Sequence, residues 1–492
     1  MIKKINILIY LFCLLSFYNF VVAQQGREVK DIQWEKDYPE PAPIQQIDNQ
    51  GKYIQRTMHL LASSSPEKHN TVRILFYGQS IVANKKWTDA VVADLQKRFP
   101  HANIIYENRA IGGFSSQYLV QSAEADLYPF YPDLLIFHVY GGHQEYQEII
   151  HNARSRTTAE IAIVTDHLGS KEYDGKEFHS AGEWKEFKRN IFVPLVAEEY
   201  DAQLIDITTP WKQYLFTNNF TSQNLLKDGV HPNDHGCYLM STLVARELVY
   251  LADQQPKPKY QNMVREYLIG KDVKFEAGQL TLEFTGNRID LIAADKENTA
   301  SLEVFIDGKK PSEFINTYYH GRSSGCPGVS WPAILNMTSQ TLPLLEKWTL
   351  TITKVNQANT DFTFKVAGSK TGLDGTGSSQ EKFVSNSGRL VIEPKAWMNL
   401  ERDYEHKGIP VTEGFKIYWK TRPLFVDRYQ SPENVDQTIE RVTTIVQNIG
   451  NKPHTLNLKK SKNGVAPITA IRVYEPPLKS KMKVVANPTA DY

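Results

Sequence analysis

At 492 residues the chain is longer than one hydrophobic core ordinarily supports, which predicts two domains. Hydrophobic residues at 41% and charged residues at 23% exclude both a disordered chain and a membrane bundle. The formal net charge is +1; without residues 1–23 it becomes −1, from 54 basic against 55 acidic residues, so no basic field exists to hold nucleic acid.

The first element is "MIKKINILIYLFCLLSFYNFVVAQQ", with Lys3 and Lys4, a short apolar run, and Val21 and Ala23 in the small-residue pattern that precedes cleavage. It predicts a signal peptide over 1–23 and a secreted or periplasmic protein. A retained anchor is the weaker reading, because Asn19 interrupts the run; no integral membrane segment is expected after cleavage. Cys13 lacks the setting of a lipidated cysteine. Cys237 and Cys326 are too few for a disulfide scaffold or a thiolate metal cluster, and the sequence leaves open whether they pair.

Residues 24–70 read as an extended lead with one short helix. Over 71–252, apolar runs alternate with helical patterns: "VRILFYG", "KWTDAVVADLQKRF", "NIIYENR", "DLLIFHVYG", "AEIAIVTD", "GEWKEFKRNIFVPLVAEEY", "AQLIDI" and a closing helix. That order predicts an α/β domain with a parallel sheet, whose chemistry sits just beyond the carboxyl ends of the strands. A polar, proline-bearing linker is expected at 253–270 and a C-terminal tail at 477–492. Between them, over 271–476, segments such as "QLTLEFTG", "SLEVFIDGKK", "WTLTITKV" and "GFKIYWKT" alternate apolar and polar residues, the pattern of an all-β sandwich or jelly roll.

Four strand ends carry candidate chemistry. "YGQSI" delivers Ser80 into a turn before a helix, where its hydroxyl is exposed, although serine in such a turn is more often a cap than a nucleophile. "NRAIGG" offers Gly112 and Gly113, whose backbone can approach a ligand closely. "GGHQE" brings His143, Gln144 and Glu145, and "DGVHPNDHG" brings Asp228 and His231 three residues apart in a turn.

In this order and spacing the blocks resemble those of the SGNH (GDSL-like) hydrolase superfamily, over about residues 72–252. The resemblance implies a three-layer α/β/α, flavodoxin-like domain and, residue by residue, Ser80 as nucleophile, His231 as base and Asp228 as its orienting acid. The Ser80 and Gly113 amides with the Gln144 side chain would form the oxyanion hole. Two departures stand out: Gln79 replaces the family's Asp before the serine, and Gln144 replaces its Asn, one methylene longer.

Arg109, His143, Glu145 and Asp166 are candidate substrate contacts, with salt bridging or capping the commoner role for Arg109 and Glu145. Asp166 and His167 follow a strand but read more readily as a satisfied loop pair. His138, inside an apolar strand, reads as a core residue, and Asp234 and His235 as turn residues. No metal-ligand spacing or phosphate-cradling loop is evident, so no metal and no cofactor is expected.

Export, the second domain and aromatic-rich loops such as "INTYYHGRSSGCPGVSWPAIL" favour an acylated oligo- or polysaccharide, most readily an acetyl ester, over a lipid. Trp331 and Tyr318 fit a core equally well. The alternatives are a glycoside hydrolase using two among Asp228, Glu145 and Asp166, and a non-catalytic glycan-binding protein.

Overall fold

The computed structural model describes residues 26–44, 49–254, 257–294, 300–398, 408–432, 436, 438–461 and 465–485. The expected signal peptide, Cys13 included, lies outside the described residues.

After an irregular lead come α1 (Gln55–Ala62), β1 (Thr71–Gly78), the one-turn α2 (Ser80–Ala83), α3 (Lys85–Arg98) and β2 (Asn103–Asn108). Then follow α4 (Ser116–Asp126), β3 (Leu134–His138), α5 (His143–Arg156) and β4 (Glu160–Val164). The unit closes with α6 (Glu183–Phe187), α7 (Val193–Glu199), β5 (Gln203–Ile205), α8 (Thr208–Thr217), α9 (Ser222–Leu225) and α10 (Asp234–Glu247). The five strands are parallel in the order β2-β1-β3-β4-β5. That doubly wound order places the topological switch point between β1 and β3.

Both faces of the sheet are covered, which is why its strands read as continuous apolar runs rather than alternating ones. Leu75 and Tyr77 of β1 and Leu135 and Phe137 of β3 join a cluster with Leu119 of α4 and Ile149 and Ile150 of α5. Val72, Ile74 and Phe76, on the other face, pack with Trp87 and Val91 of α3, Trp211 of α8 and Leu239 and Met240 of α10. This is the three-layer α/β/α domain the sequence predicts.

One expected helix is interrupted. Between α6 and α7 the backbone widens into a π-turn, Lys188–Phe192. The cause is local, because Pro194 has no N–H to return to the carbonyl four residues back.

The C-terminal region is built of antiparallel sheets. β6 (Val264–Leu268), β7 (Gln279–Ala293), β8 (Leu302–Ile306), β16 (Arg428–Tyr429), β17 (Val442–Lys460) and β18 (Ile468–Tyr474) form a six-stranded sheet. β9 (Tyr318–His320), β10 (Lys347–Val355), β11 (Phe362–Gly368), β12 (Gly372–Ser378) and β15 (Lys416–Pro423) form a five-stranded one, and β13 (Phe383–Val384) with β14 (Val391–Ile392) a short ribbon. The six-stranded sheet has a core of its own. The inward residues of the five-stranded sheet, among them Trp348, Leu350, Phe364 and Trp419, are continuous with the apolar face of the α/β unit.

Two segment boundaries differ from expectation. The stretch 253–270 holds β6, an edge strand paired with β18, because the prolines and charges of "DQQPKPKYQ" masked the short alternation that follows. The last described residues of the tail dock on α5: the Leu478 amide donates to the Arg154 carbonyl at 3.3 Å and the Val485 amide to Gln147 Oε1 at 3.2 Å.

Elsewhere the β-rich region meets the α/β unit along β7. The Tyr131 hydroxyl donates to Asn287 Oδ1 at 2.8 Å, and Asn287 Nδ2 to the Arg156 carbonyl at 2.8 Å. The Arg288 guanidinium lies between the rings of Tyr131 and Tyr474, 4.8 and 4.6 Å from their centroids, and pairs with fully buried Asp290 through contacts of 2.9 and 2.7 Å. Removing one member of such a pair leaves a buried charge uncompensated. Arg288→Met is therefore expected to lower unfolding free energy by about 3–5 kcal/mol, and Arg288→Met with Asp290→Leu to recover most of the loss. Urea denaturation of both variants checks this, and equal stability of the single and double variants would contradict it.

Candidate active site

Ser80 is the first residue of α2, two positions beyond the end of β1. Gly78 is paired in register with His138, and a β-carbon at 78 would strike the His138 carbonyl, so β1 and β3 close together only because residue 78 is glycine. The Ser80 and Gln144 blocks thus leave adjacent strands at the switch point.

The turn between α9 and α10 is fixed by its own backbone. The Lys227 amide donates to the His231 carbonyl at 2.9 Å, and the Asn233 amide to the Leu225 carbonyl at 3.0 Å. Asn233 then caps α10, its Oδ1 accepting from the Gly236 amide at 3.1 Å. From outside the turn, His167 Nε2 donates to the Val230 carbonyl at 2.6 Å.

Within this turn Asp228 Oδ1 accepts from the amides of His231 and Val230, at 2.7 and 2.9 Å. Those backbone donors, and then the imidazole, hold its carboxyl down to about 2. The same carboxylate accepts from His231 Nδ1 at 2.9 and 3.1 Å, and His231 Nε2 lies 2.8 Å from Ser80 Oγ. With Nδ1 carrying its proton toward Asp228, Nε2 is left as the acceptor for the Ser80 hydroxyl. The three residues that the sequence places 148 and 3 positions apart form one hydrogen-bonded row, open to solvent: side-chain exposure is 35% at His231 and 52% at Asp228.

The glycine block lies against the serine. A β-carbon on Gly112 would sit 3.8 Å from that of Ser80, and Gly113 has φ +82°. Asn108 braces the approach, donating to the Val82 carbonyl at 2.7 Å and accepting from the Ala110 amide at 3.1 Å. Gln144 is exposed in the first turn of α5, and its side chain makes no hydrogen bond among the described residues. Gln79 is buried with neither amide atom partnered among the described residues, which carries a desolvation cost.

The remaining candidates fall elsewhere. Asp166, a candidate substrate contact that reads more readily as a satisfied loop residue, turns inward and is gripped by Lys188 Nζ at 2.9 and 3.1 Å, both side chains buried. Burial works to raise its carboxyl, but the charge and hydrogen bond of Lys188 together with His138 and Arg189 outweigh it and hold the group below its ordinary value. Arg109 is likewise taken up in structure, donating to Glu107 at 2.6 Å and to the Asp126 carbonyl at 2.6 Å. His143 is buried against Trp184, Phe187 and Phe192, with ring centroids 5.5, 5.3 and 4.5 Å away, and burial lowers its pKa. Glu145 stays in the first turn of α5, where a carboxylate suits the helix dipole.

His138 is a core residue held by the Val164 carbonyl at 3.2 Å and pushed down to about 4 by burial. Asp234 takes hydrogen bonds from Lys86, the Tyr38 hydroxyl and the Glu35 amide, and His235 stacks on Tyr38, so both brace the lead segment. Cys237 and Cys326 are both buried and do not pair with each other. Among the described residues no three His, Cys, Asp or Glu side chains group as metal ligands.

Sequence reasoning missed two residues of the β-rich region that reach this turn. Trp331 Nε1 donates to the Gly112 carbonyl at 2.7 Å, and Arg322 Nη2 to the Arg109 carbonyl at 3.0 Å. The only signal was the aromatic loop that contains Trp331.

A hydroxyl, an imidazole and a carboxylate thus lie in one hydrogen-bonded row at the switch point of a parallel sheet. In strand order and motif blocks the chain is similar to the SGNH (GDSL-like) hydrolases. No family model and no curated protein matches the sequence. Among solved structures, similarity is found to a two-domain esterase active on acetylated mannans, at 14% identity over 86% of this chain and 95% of that one, TM-score 0.33. It is also found to an acetylxylan esterase from Geobacillus stearothermophilus, at 16% identity over 38% and 98%, TM-score 0.32, and to the acetyl xylan esterase AlAXEase, at 19% identity over 36% and 100%, TM-score 0.32.

A depressed carboxyl at 228 has a definite pH signature. The carboxylate exists above its folded pKa, so any stability it lends is present above the ordinary carboxylate range and fades as pH falls toward about 2. Carboxyl ¹³C NMR should find Asp228 titrating near 2, and a midpoint at or above the usual aspartate value would contradict the turn geometry.

Proposed function

We propose that the protein is an exported serine esterase that removes a short acyl group, acetyl in the first instance, from a carbohydrate. The observation that carries the reading is the 2.8 Å contact between Ser80 Oγ and His231 Nε2, with Asp228 on the far nitrogen. In this mechanism His231 takes the Ser80 proton as Oγ attacks the ester carbonyl, and Asp228 stabilises the imidazolium that forms. The oxyanion faces the amides of Ser80 and Gly113, with the Gln144 side chain swinging in as a third donor. Collapse of the tetrahedral species expels the sugar alkoxide, which leaves with the proton from His231. Water deprotonated by the same imidazole then releases the acid from Ser80.

The surroundings favour a small acyl group on a polar carrier. Lys227, Asp228, Gly229, Gln144 and Gln117 are exposed polar or small residues, with Val230 the one exposed apolar side chain of the 227–231 turn. On the other side, the indole of Trp331 backs Gly113 and leaves little depth beyond the turn. Since this indole is only 7% exposed, it is a wall of the turn rather than a stacking platform for sugar. The inward pairing of Asp166 with Lys188 removes one of three carboxyl groups on which a glycosidase reading depends. The N-terminal pattern supports export, and among the described residues no helix is long and apolar enough to cross a membrane.

Purified protein is expected to release acetate from p-nitrophenyl acetate and from at least one member of a panel of acetylated polysaccharides. Ser80→Ala should reduce turnover by about 10⁴-fold or more. Turnover that survives in Ser80→Ala, or reducing sugar appearing without acetate, would refute the esterase reading.

A further inference from the structure

We propose that Trp331, carried by the β-rich region, is a positioning residue for the oxyanion turn: its indole N–H holds the Gly112 carbonyl and thereby aims the Gly113 amide at the reacting carbonyl. The inference rests on the esterase reading above and names a part of the site that lies outside the α/β unit.

The argument begins with one peptide bond. The Gly112 carbonyl and the Gly113 N–H belong to the same planar unit, and no cis peptide occurs among the described residues, so the two point in opposite directions. Whatever fixes the carbonyl fixes the N–H. Two successive glycines give this peptide little conformational restraint of its own, and the turn lies directly beside the serine. Trp331 Nε1 donates to that carbonyl at 2.7 Å. Besides orienting the peptide, a hydrogen bond to its oxygen polarises it and strengthens the N–H as a donor.

The fit is close on both sides. Gly113 has φ +82°, and a β-carbon there would come within 2.7 Å of Trp331 Cζ2, so glycine is required both by the backbone conformation and by the indole. The tryptophan is itself held firmly. Its carbonyl accepts from the Cys326 amide at 3.0 Å, and the flanking Ala333 amide donates to the Ser324 carbonyl at 3.1 Å. The Ser324 amide in turn donates to the Tyr418 carbonyl of β15 at 2.8 Å, which ties the loop to the five-stranded sheet. Arg322 clamps the other end of the turn: it is bidentate to buried Asp126 at 3.0 and 2.7 Å and donates to the Arg109 carbonyl. Two donors from the β-rich region thus hold two carbonyls of the 109–112 turn.

The test separates positioning from packing. Trp331→Phe keeps an aromatic ring and removes the N–H. On p-nitrophenyl acetate its kcat is expected to fall about 10- to 100-fold with KM little changed. The affinity of a phenylboronic acid, which forms a tetrahedral adduct on Ser80, should fall by a similar factor. Replacement of Trp331 by 3-benzothienylalanine, the same shape with sulfur in place of N–H, guards against misfolding of the phenylalanine variant and should give the same loss with an unchanged thermal midpoint. Wild-type kcat and boronate affinity in the benzothienyl protein would overturn the proposal, as would a loss confined to thermal stability. If instead Ser80→Ala turns over like wild type, the esterase reading fails and this inference falls with it; an inactive Ser80→Ala beside a fully active Trp331→Phe removes the inference alone.

Discussion

The site depends on a carboxylate held in place by the backbone of its own turn. Asp228 accepts from the amides of Val230 and His231 before it accepts from the imidazole, so its charge and direction do not rely on burial. Because Asp228 engages Nδ1, the proton on the ring is assigned to that nitrogen and Nε2 is free to receive one from Ser80. Much of the surrounding structure serves to keep this turn still: the Val230 carbonyl is tied to His167, the turn closes on Leu225, and Asn233 starts the helix that packs it onto the sheet. An exposed hydrogen bond of this kind would ordinarily contribute little to stability. Here its value lies in orientation rather than stability.

Stability comes from elsewhere, and with a distinct logic. Beside the site, Asp166 and Lys188 form a buried pair, and along the seam Arg288 and Asp290 form another. Pairs like these contribute less net free energy than an apolar core of equal volume, yet removing one partner is costly, so they penalise wrong packings more than they reward the right one. The first pair fixes the π-turn against the end of β4, and the second fixes β7 against Tyr131. Gln79 runs the other way, with a buried amide that finds no partner among the described residues directly before Ser80. Local cost next to a reacting group, offset by tight packing around it, is a common arrangement at functional sites.

The fold and the reacting row were legible because they are written locally. Strands buried on both faces show as uninterrupted apolar runs, and each block follows its strand within a few residues, so reading the strand ends in order leads to Ser80 and to the Asp228–His231 turn that meets it. What sequence could not supply was the direction of each side chain. Asp166 follows β4 as a cleft residue would, but Lys188, 22 positions later and turned inward by the π-turn, draws it into the core. Arg109 pairs with Glu107, the salt-bridging role the sequence favours for it, whereas His143, offered as a substrate contact, is enclosed by a cage of aromatic rings. The contact from Trp331 crosses 219 positions, and no periodicity or motif reports a pairing at that range.

That long contact bears on what the second region is for. If the α/β unit carried its site alone, the β-rich region would need no more than a seam to join it. Instead one apolar cluster runs from Tyr77 and Phe137 through Phe114 and Trp331 to Trp348 and Trp419, so packing in the five-stranded sheet is mechanically continuous with the turn beside Ser80. Close-packed interiors transmit small displacements because they have no slack to absorb them. The glycine turn is thus tied by Trp331 to the packing of a sheet that contributes none of Ser80, His231 and Asp228. The two regions are then better understood as one packed body than as a domain with an appended module.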